Sequence, residues 1–310
     1  MRKIPPFLLL FLLAINVDAQ EAISPDERAF NFFYANDVTG QTDKYYTNGV
    51  RFDITMPIFA KSPFSLSWLR WQKATSSYHT INFRYDVFTP DLHKELYTDR
   101  PFASVMALGS KHQYVLSQNK LMLTSELQLG IIGQASGAGK LQNGLHKIMP
   151  NADTVLGWET QIRNDIALNY VFTVDKQVHR SNYVEIILGG SVFLGSPYTK
   201  LEPEVRLHVG VMEDYFNMLN TNPERNWQAY LFGDLKAAYV VYNATLLGGP
   251  LNPNNPYELM EIEPFVLNLQ IGFGATYNSY SLIYGQHFIS PEFLGAETYM
   301  WGELNFKVTF

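Results

Sequence analysis

Gln142 and His146 stand four residues apart in the run Gln142-Asn143-Gly144-Leu145-His146. On a helix that spacing puts both side chains on one face. A histidine with a near-neutral pKa can take a proton from water, and a glutamine beside it can orient that water or its target. A histidine in such a run can also be purely structural. The other six histidines, His79, His93, His112, His179, His208 and His287, have no comparable context.

Three further runs carry polar groups at element ends. Asn36-Asp37 follows the apolar Phe32-Phe33-Tyr34-Ala35. Neighbours on a strand point to opposite faces, so one of the pair would face away from a polar interior. A charge on the lipid side of a membrane barrel costs about 2–4 kcal/mol at mid-depth and less toward the edge. The pair is therefore expected at a bulge or a rim, where both can turn inward, or simply as a polar turn closing the strand. Tyr45-Tyr46-Thr47-Asn48-Gly49 opens the next apolar run, either as a site element or as an aromatic girdle pair with a turn. Asp99-Arg100-Pro101-Phe102-Ala103 reads alone as a turn.

Several chemistries are excluded. There is no cysteine, so no thiolate nucleophile, disulfide or zinc-thiolate site can form. Gly-x-Ser-x-Gly, phosphate-loop, His-Glu-x-x-His and EF-hand patterns are all absent. Ser110 and Ser136 have no nucleophile pattern around them. Asp37, with main-chain carbonyls, offers the hard oxygens that Ca²⁺ prefers. The net charge of −6 gives no basic footprint for nucleic acid.

The elements that must position these residues alternate. In 121–131, Leu121, Leu123, Ser125, Leu127, Leu129 and Ile131 oppose Met122, Thr124, Glu126, Gln128 and Gly130. The same pattern recurs in 201–211, where Leu201, Val205, Leu207 and Val209 oppose Glu202, Glu204, Arg206 and His208. It returns in 265–273 and 303–310. Period-two alternation means strands with one apolar face. A soluble sandwich also alternates. Two features favour a membrane barrel: the alternation runs from 28 to 310 without a domain break, and the chain stops at Phe310 inside a strand pattern. Mean hydropathy of −0.10 with 15% aromatic residues agrees, because only every second barrel residue must be apolar. About twelve strands are expected, with ten or fourteen the other even counts that the pattern allows: 28–37, 45–56, 78–88, 101–117, 120–133, 165–175, 182–195, 200–212, 227–242, 258–274, 276–287 and 298–310. The fold class is all-β, an antiparallel transmembrane barrel. Residues 134–164 break the pattern as a helical or irregular insertion, and a loop of that length is often functional.

Residues 1–19 read as a cleaved signal peptide, with Arg2 and Lys3 before an apolar core and Val17 and Ala19 at the −3 and −1 positions; the other reading is an uncleaved N-terminal anchor. Loss of Arg2, Lys3 and Asp18 leaves a mature charge of −7. Residues 20–310 then form one outer-membrane barrel domain.

Taken in order, the motifs resemble the LpxR family of outer-membrane lipid A 3′-O-deacylases. The matching runs are Ala35-Asn36-Asp37, Tyr46-Thr47-Asn48-Gly49, Asp99-Arg100-Pro101-Phe102-Ala103, Gly130-Ile131-Ile132-Gly133, Gln142-Asn143-Gly144-Leu145-His146 and Gly157-Trp158-Glu159-Thr160-Gln161. They cover residues 30–165, and the second half matches as generic barrel. The resemblance implies a twelve-stranded barrel with a Ca²⁺-dependent hydrolase site facing the outer leaflet. Its substrate would be the 3′-linked acyloxyacyl ester of lipid A. His146 would activate water, and Ca²⁺ near Asp37 would stabilise the oxyanion. Asn36, Thr47 and Gln142 would complete the site. Lys94, near the family's lysine position, would hold a substrate phosphate, and Asp153 stands between the His and the Trp. The expected partners are lipopolysaccharide and the outer membrane of a Gram-negative cell, with the barrel a monomer. The other readings are a non-enzymatic pore or transporter, a Ser-nucleophile phospholipase barrel, and a family member acting on another lipid ester.

Overall fold

A computed structural model describes residues 28–37, 44–64, 69, 74–92, 99–147, 154–217, 226–252 and 261–310. The signal-peptide residues 1–19, Lys94 and Asp153 lie outside the described residues.

Twelve strands follow in order: β1 (Ala29–Asn36), β2 (Tyr45–Thr55), β3 (Ser76–Thr89), β4 (Ala103–Leu116), β5 (Leu121–Ile132), β6 (Asp165–Arg180), β7 (Val184–Ser196), β8 (Tyr198–Val211), β9 (Trp227–Asn243), β10 (Phe265–Tyr277), β11 (Tyr280–Ile289) and β12 (Tyr299–Thr309). Each pairs antiparallel with its sequence neighbours, and β1 closes on β12. Closure leaves no unpaired sheet edge, which a bilayer requires. The expected strands match these in number and order, with shifted bounds at β6, which runs on to Arg180 rather than 175, and at β10, which begins at Phe265 rather than 258. Alternation runs through Gly274 to Tyr277, so the β10–β11 turn sits at Asn278–Ser279 rather than near Ala275. Asn278 has φ 51°, a left-handed value that Asn tolerates and tight hairpins need.

The period-two pattern sorts side chains between two environments. Leu108, Leu129, Leu231, Leu267 and Phe273 point outward and are exposed, as a lipid-facing surface demands. The polar sets turn inward and pair. Lys111 bridges Asp53 at 2.8 Å, and Asn82 donates to Glu126 at 2.9 Å. Across β6–β9, Arg206 joins Asp175 at 3.1 Å and also pairs with Glu204, while Arg180 and His208 both reach Glu185. The interior wall is therefore lined by interlocked polar and ion pairs between strands one or two places apart. A lined cavity of about 130 Å³ lies between Glu185, His208, Tyr215, Gln228, Ser281 and Lys307.

The two rims differ. One carries the described residues 133–147 and 154–164. After a 3₁₀ turn at Gln134–Ser136, this segment forms helix α1 (Ala138–His146) and a second 3₁₀ turn at Trp158–Thr160. A short helix α2 (Ala244–Leu247) caps β9 at the same rim, with Asn243 accepting from the Thr245 amide. The opposite rim has the short β6–β7 and β10–β11 turns and the segment 212–217.

Candidate functional site at the outer face of the insertion rim

α1 does not plug the barrel. On β3, Arg84 and Asp86 point to the interior, so Tyr85 and Val87 point out. Their register partners put Ser104 and Met106 of β4 on the same outward face. Those side chains are covered, not lipid-exposed. Tyr85, Val87, Phe102, Ala138, Val155 and Trp158 form one buried apolar cluster, with Met106 packed against it. Tyr85 Oη donates to the Ser136 carbonyl at 3.3 Å, and the hydroxyls of Ser104 and Ser136 share a hydrogen bond. The insertion is thus folded over the outside of the β3–β4 wall.

The sequence positions each part of this cover. Gly157 has φ 100°, and a Cβ there would come within 2.7 Å of Phe102. That turn lets Trp158 pack against Phe102 with the rings tilted by 46° and their centroids 4.8 Å apart. A Cβ at Gly139 would meet Trp158 Cγ at 2.7 Å, so helix and indole touch directly. Asn143 clamps the far strand of the loop through Nδ2 to the Val155 carbonyl (3.1 Å) and Oδ1 from the Val155 amide (2.8 Å). Trp158 Nε1 donates to Gln142 Oε1 at 2.8 Å, and both side chains are buried. Gln142 and His146 do lie four residues apart on one helix, as the spacing predicts.

The other half of the site lies across β3, on β1 and β2. Asn36 is the last residue of β1 and pairs with Asn48 and Gly302. It stays on the outward face at the rim rather than turning in. An uncharged side chain at the rim makes that placement inexpensive. Asp37 is past the strand and only 3% exposed. The bulge expected of this region is on the neighbouring strand: Tyr46 pairs with Phe88 and Asn48 with Val87, leaving Thr47 as the extra residue. Bulges re-aim side chains next to functional sites. Asn36 Nδ2 donates to the Thr47 carbonyl at 3.0 Å, and Thr47 Oγ1 bonds Thr89 Oγ1 at 2.6 Å.

Two groups emerge, Asn36–Asp37–Thr47 at the β1–β2–β3 rim and Gln142–His146 on α1, with the rim end of β3 between them. Tyr45 and Tyr46 do not form a girdle. Tyr46 points inward, donating to Asp86 at 2.8 Å and packing on Trp301, and Tyr45 is fully buried against Phe293 and Tyr299.

Sequence reasoning missed two residues. Arg100 was assigned to a turn, yet it is fully buried. Its Nη2 donates to Thr245 Oγ1 at 3.2 Å, its Nη1 is 3.9 Å from Glu292, and its guanidinium lies over Phe88. Trp158 was only a motif letter, and its link to Gln142 crosses a stretch with no periodicity to betray it. Its glycine-preceded position after the helix is the signal that could have marked it.

Among the described residues, no group of three or more His, Asp or Glu side chains could hold a metal by themselves. The donors at the rim are the Asp37 carboxylate, the Thr47 carbonyl and the threonine hydroxyls. These are all hard oxygens. That set fits Ca²⁺, which takes six to eight oxygens including carbonyls and waters, and does not fit a soft metal.

The family model for outer membrane protein LpxR matches residues 7–310. Among solved structures, LpxR from Salmonella typhimurium aligns with TM-score 0.73 at 16% identity, covering 91% of this chain and 100% of that one. The β domain of the Bordetella autotransporter BrkA aligns with TM-score 0.45 at 8% identity, covering 92% of this chain and 99% of that one. Comparison with curated proteins returns no match. With the model spanning almost the entire sequence and the barrel shared, this chain is an outer-membrane β-barrel that belongs to the LpxR family.

Proposed function

We propose that this protein is a lipid A 3′-O-deacylase, hydrolysing the 3′-linked acyloxyacyl ester in the outer leaflet. Residues 1–19 export it and are removed, and the barrel works as a monomer. The observation that carries the reading is the placement of α1. The helix bearing Gln142 and His146 is laid on the outward face of β3–β4 at one rim. A group on that face meets lipid, whereas a pore would place its working groups in the lumen.

In this reading His146 accepts a proton at a ring nitrogen from water as the water oxygen attacks the ester carbonyl carbon. The ester C–O bond breaks as the proton is returned to the leaving sugar oxygen. The products are the free acyloxyacyl acid and a 3′-hydroxyl. Gln142 hydrogen-bonds the reacting group, and Asn36 and Thr47 hold the bulged rim in shape. Asp37, with the Thr47 carbonyl, would hold Ca²⁺, which when bound supplies Lewis-acid stabilisation of the developing negative charge. Lys94 would bind a phosphate of the disaccharide.

The test is mass spectrometry of purified lipid A incubated with refolded protein, with Ca²⁺ and with a chelator. Loss of one acyloxyacyl chain, abolished by chelator and by His146→Ala, is expected. An intact substrate with a demonstrably folded barrel would remove the activity from this protein. Loss of the chain despite His146→Ala would remove the base.

A further inference from the structure

Gln142 is buried, and only one half of its amide is used. Its Oε1 accepts from the indole of Trp158, while its Nε2 is buried with no hydrogen-bond partner among the described residues. An indole N–H can only donate. It therefore selects the orientation of the amide: Oε1 must face Trp158, and Nε2 must face away. The orientation follows from chemistry rather than from how an amide happens to be placed. Buried donors are nearly always paired, so an unpaired one calls for an explanation.

The location supplies it. α1 lies on the outward face of the barrel, so what approaches Gln142 is lipid rather than bulk water. The scissile ester group offers a carbonyl acceptor and no donor. The indole is itself held from three sides, by Phe102 at 4.8 Å, by the glycine surface of Gly139 and by the turn at Gly157. The Asn143–Val155 clamp fixes the separation of the two segments that carry Gln142 and Trp158. Such bracing is characteristic of preorganised donors, which cost no reorganisation when charge develops on the substrate.

We propose that Trp158 is a positioning residue for ester hydrolysis. It locks the Gln142 amide so that Nε2 is a fixed hydrogen-bond donor to the substrate's ester carbonyl. This rests on the deacylase reading given above.

The test uses the full refolded chain in detergent, with hexa-acylated lipid A as the probe. Trp158→Phe keeps an aromatic ring on Phe102 but removes the N–H. Gln142→Glu keeps an acceptor for the indole and removes the donor. Each is expected to lower kcat by about 10²-fold, the usual cost of a lost or misplaced donor. KM should change little, and the heat-modifiable barrel band should be unchanged. The double variant should be no worse than either single one, because the two residues act as a unit. Trp158→His, which restores an N–H, should recover part of kcat. Wild-type kcat in Trp158→Phe, or additive losses in the double variant, would overturn the proposal while leaving the activity intact.

A second readout does not need turnover. The side-chain amide of Gln142, followed by ¹⁵N NMR, should shift when lipid A is added to the wild type and not when it is added to Trp158→Phe. A shift in a wild type that hydrolyses nothing would sink the deacylase reading and keep the positioning. An unmoved amide in the wild type would overturn the positioning, whatever the turnover.

Discussion

Thr47 and Thr89 share a hydrogen bond of 2.6 Å between their Oγ1 atoms, with both hydroxyls buried. Thr47 is the extra residue of the β2 bulge, and Thr89 ends β3. The bond ties the bulge to the next strand just where Asn36 grips the Thr47 carbonyl. Thr47→Val keeps the shape and removes the hydroxyl, leaving that of Thr89 buried and unmatched. Such a group costs about 1–3 kcal/mol. The denaturant midpoint should fall accordingly and lipid A turnover should drop. Thr47→Ser should restore both. Unchanged stability in Thr47→Val would show that the bond does not hold the bulge.

The strands were legible because one rule governs them. Leu121 to Ile132 and Phe265 to Tyr277 must each present a lipid face and an interior face, and alternation records that directly. The helix was legible from the Gln142–His146 spacing. Its destination was not, because nothing in residues 134–164 says whether they fold into the barrel or over its outside. That choice is made by Tyr85 and Val87, apolar outward residues far away in sequence that any strand could carry. Arg100 was illegible for a similar reason. Its partner Thr245 is 145 residues distant, and a buried arginine looks like a turn arginine until the loops have met.

Arg100 holds the insertion rim together. It joins the segment before β4 to α2 through Thr245 and to Glu292, which also accepts from Tyr299 at 2.8 Å. Removing one partner of a buried ion pair costs about 3–5 kcal/mol, because the other charge is left behind. Glu292 is partly exposed, so Arg100→Ala should fall at the lower end, about 3 kcal/mol. Unfolding of the refolded barrel in denaturant measures this. Because Phe102 lies two residues on and carries Trp158, turnover should fall too. A loss below 1 kcal/mol would mean that the loops, not the arginine, set the rim.

Asp214 offers a pH test at the opposite rim. Burial alone would raise its carboxyl. Hydrogen bonds from Lys120 and the Phe216 amide, with the charges of Lys120 and Arg180, outweigh this and hold it below the usual carboxylate range. The folded value is thus below the unfolded one. The stabilisation is complete above the unfolded value and is lost as pH falls through the folded one. Asp214→Asn should therefore be less stable than the parent at pH 7. The gap should close on acidification below about pH 3.8, the ordinary carboxyl value. A gap that is constant with pH would assign the effect to packing instead of charge.

The two glycines of α1, Gly139 and Gly144, have different surroundings. Alanine in place of glycine within a helix is favoured by about 1 kcal/mol from propensity alone. At Gly144 an added Cβ meets nothing within 4 Å among the described residues, so Gly144→Ala should gain that increment and leave turnover unchanged. At Gly139 the same methyl would sit 2.7 Å from Trp158 Cγ and 2.8 Å from its Cβ. Those atoms are the rigid root of the side chain and cannot swing aside as a flexible tip would. The indole must shift, and its bond to Gln142 must lengthen. Gly139→Ala should then leave the twelve-stranded barrel folded, since no strand is involved, while lipid A turnover falls. Assaying both variants side by side removes helix propensity from the comparison. Equal activity in the two would mean that close contact between α1 and Trp158 has no part in catalysis.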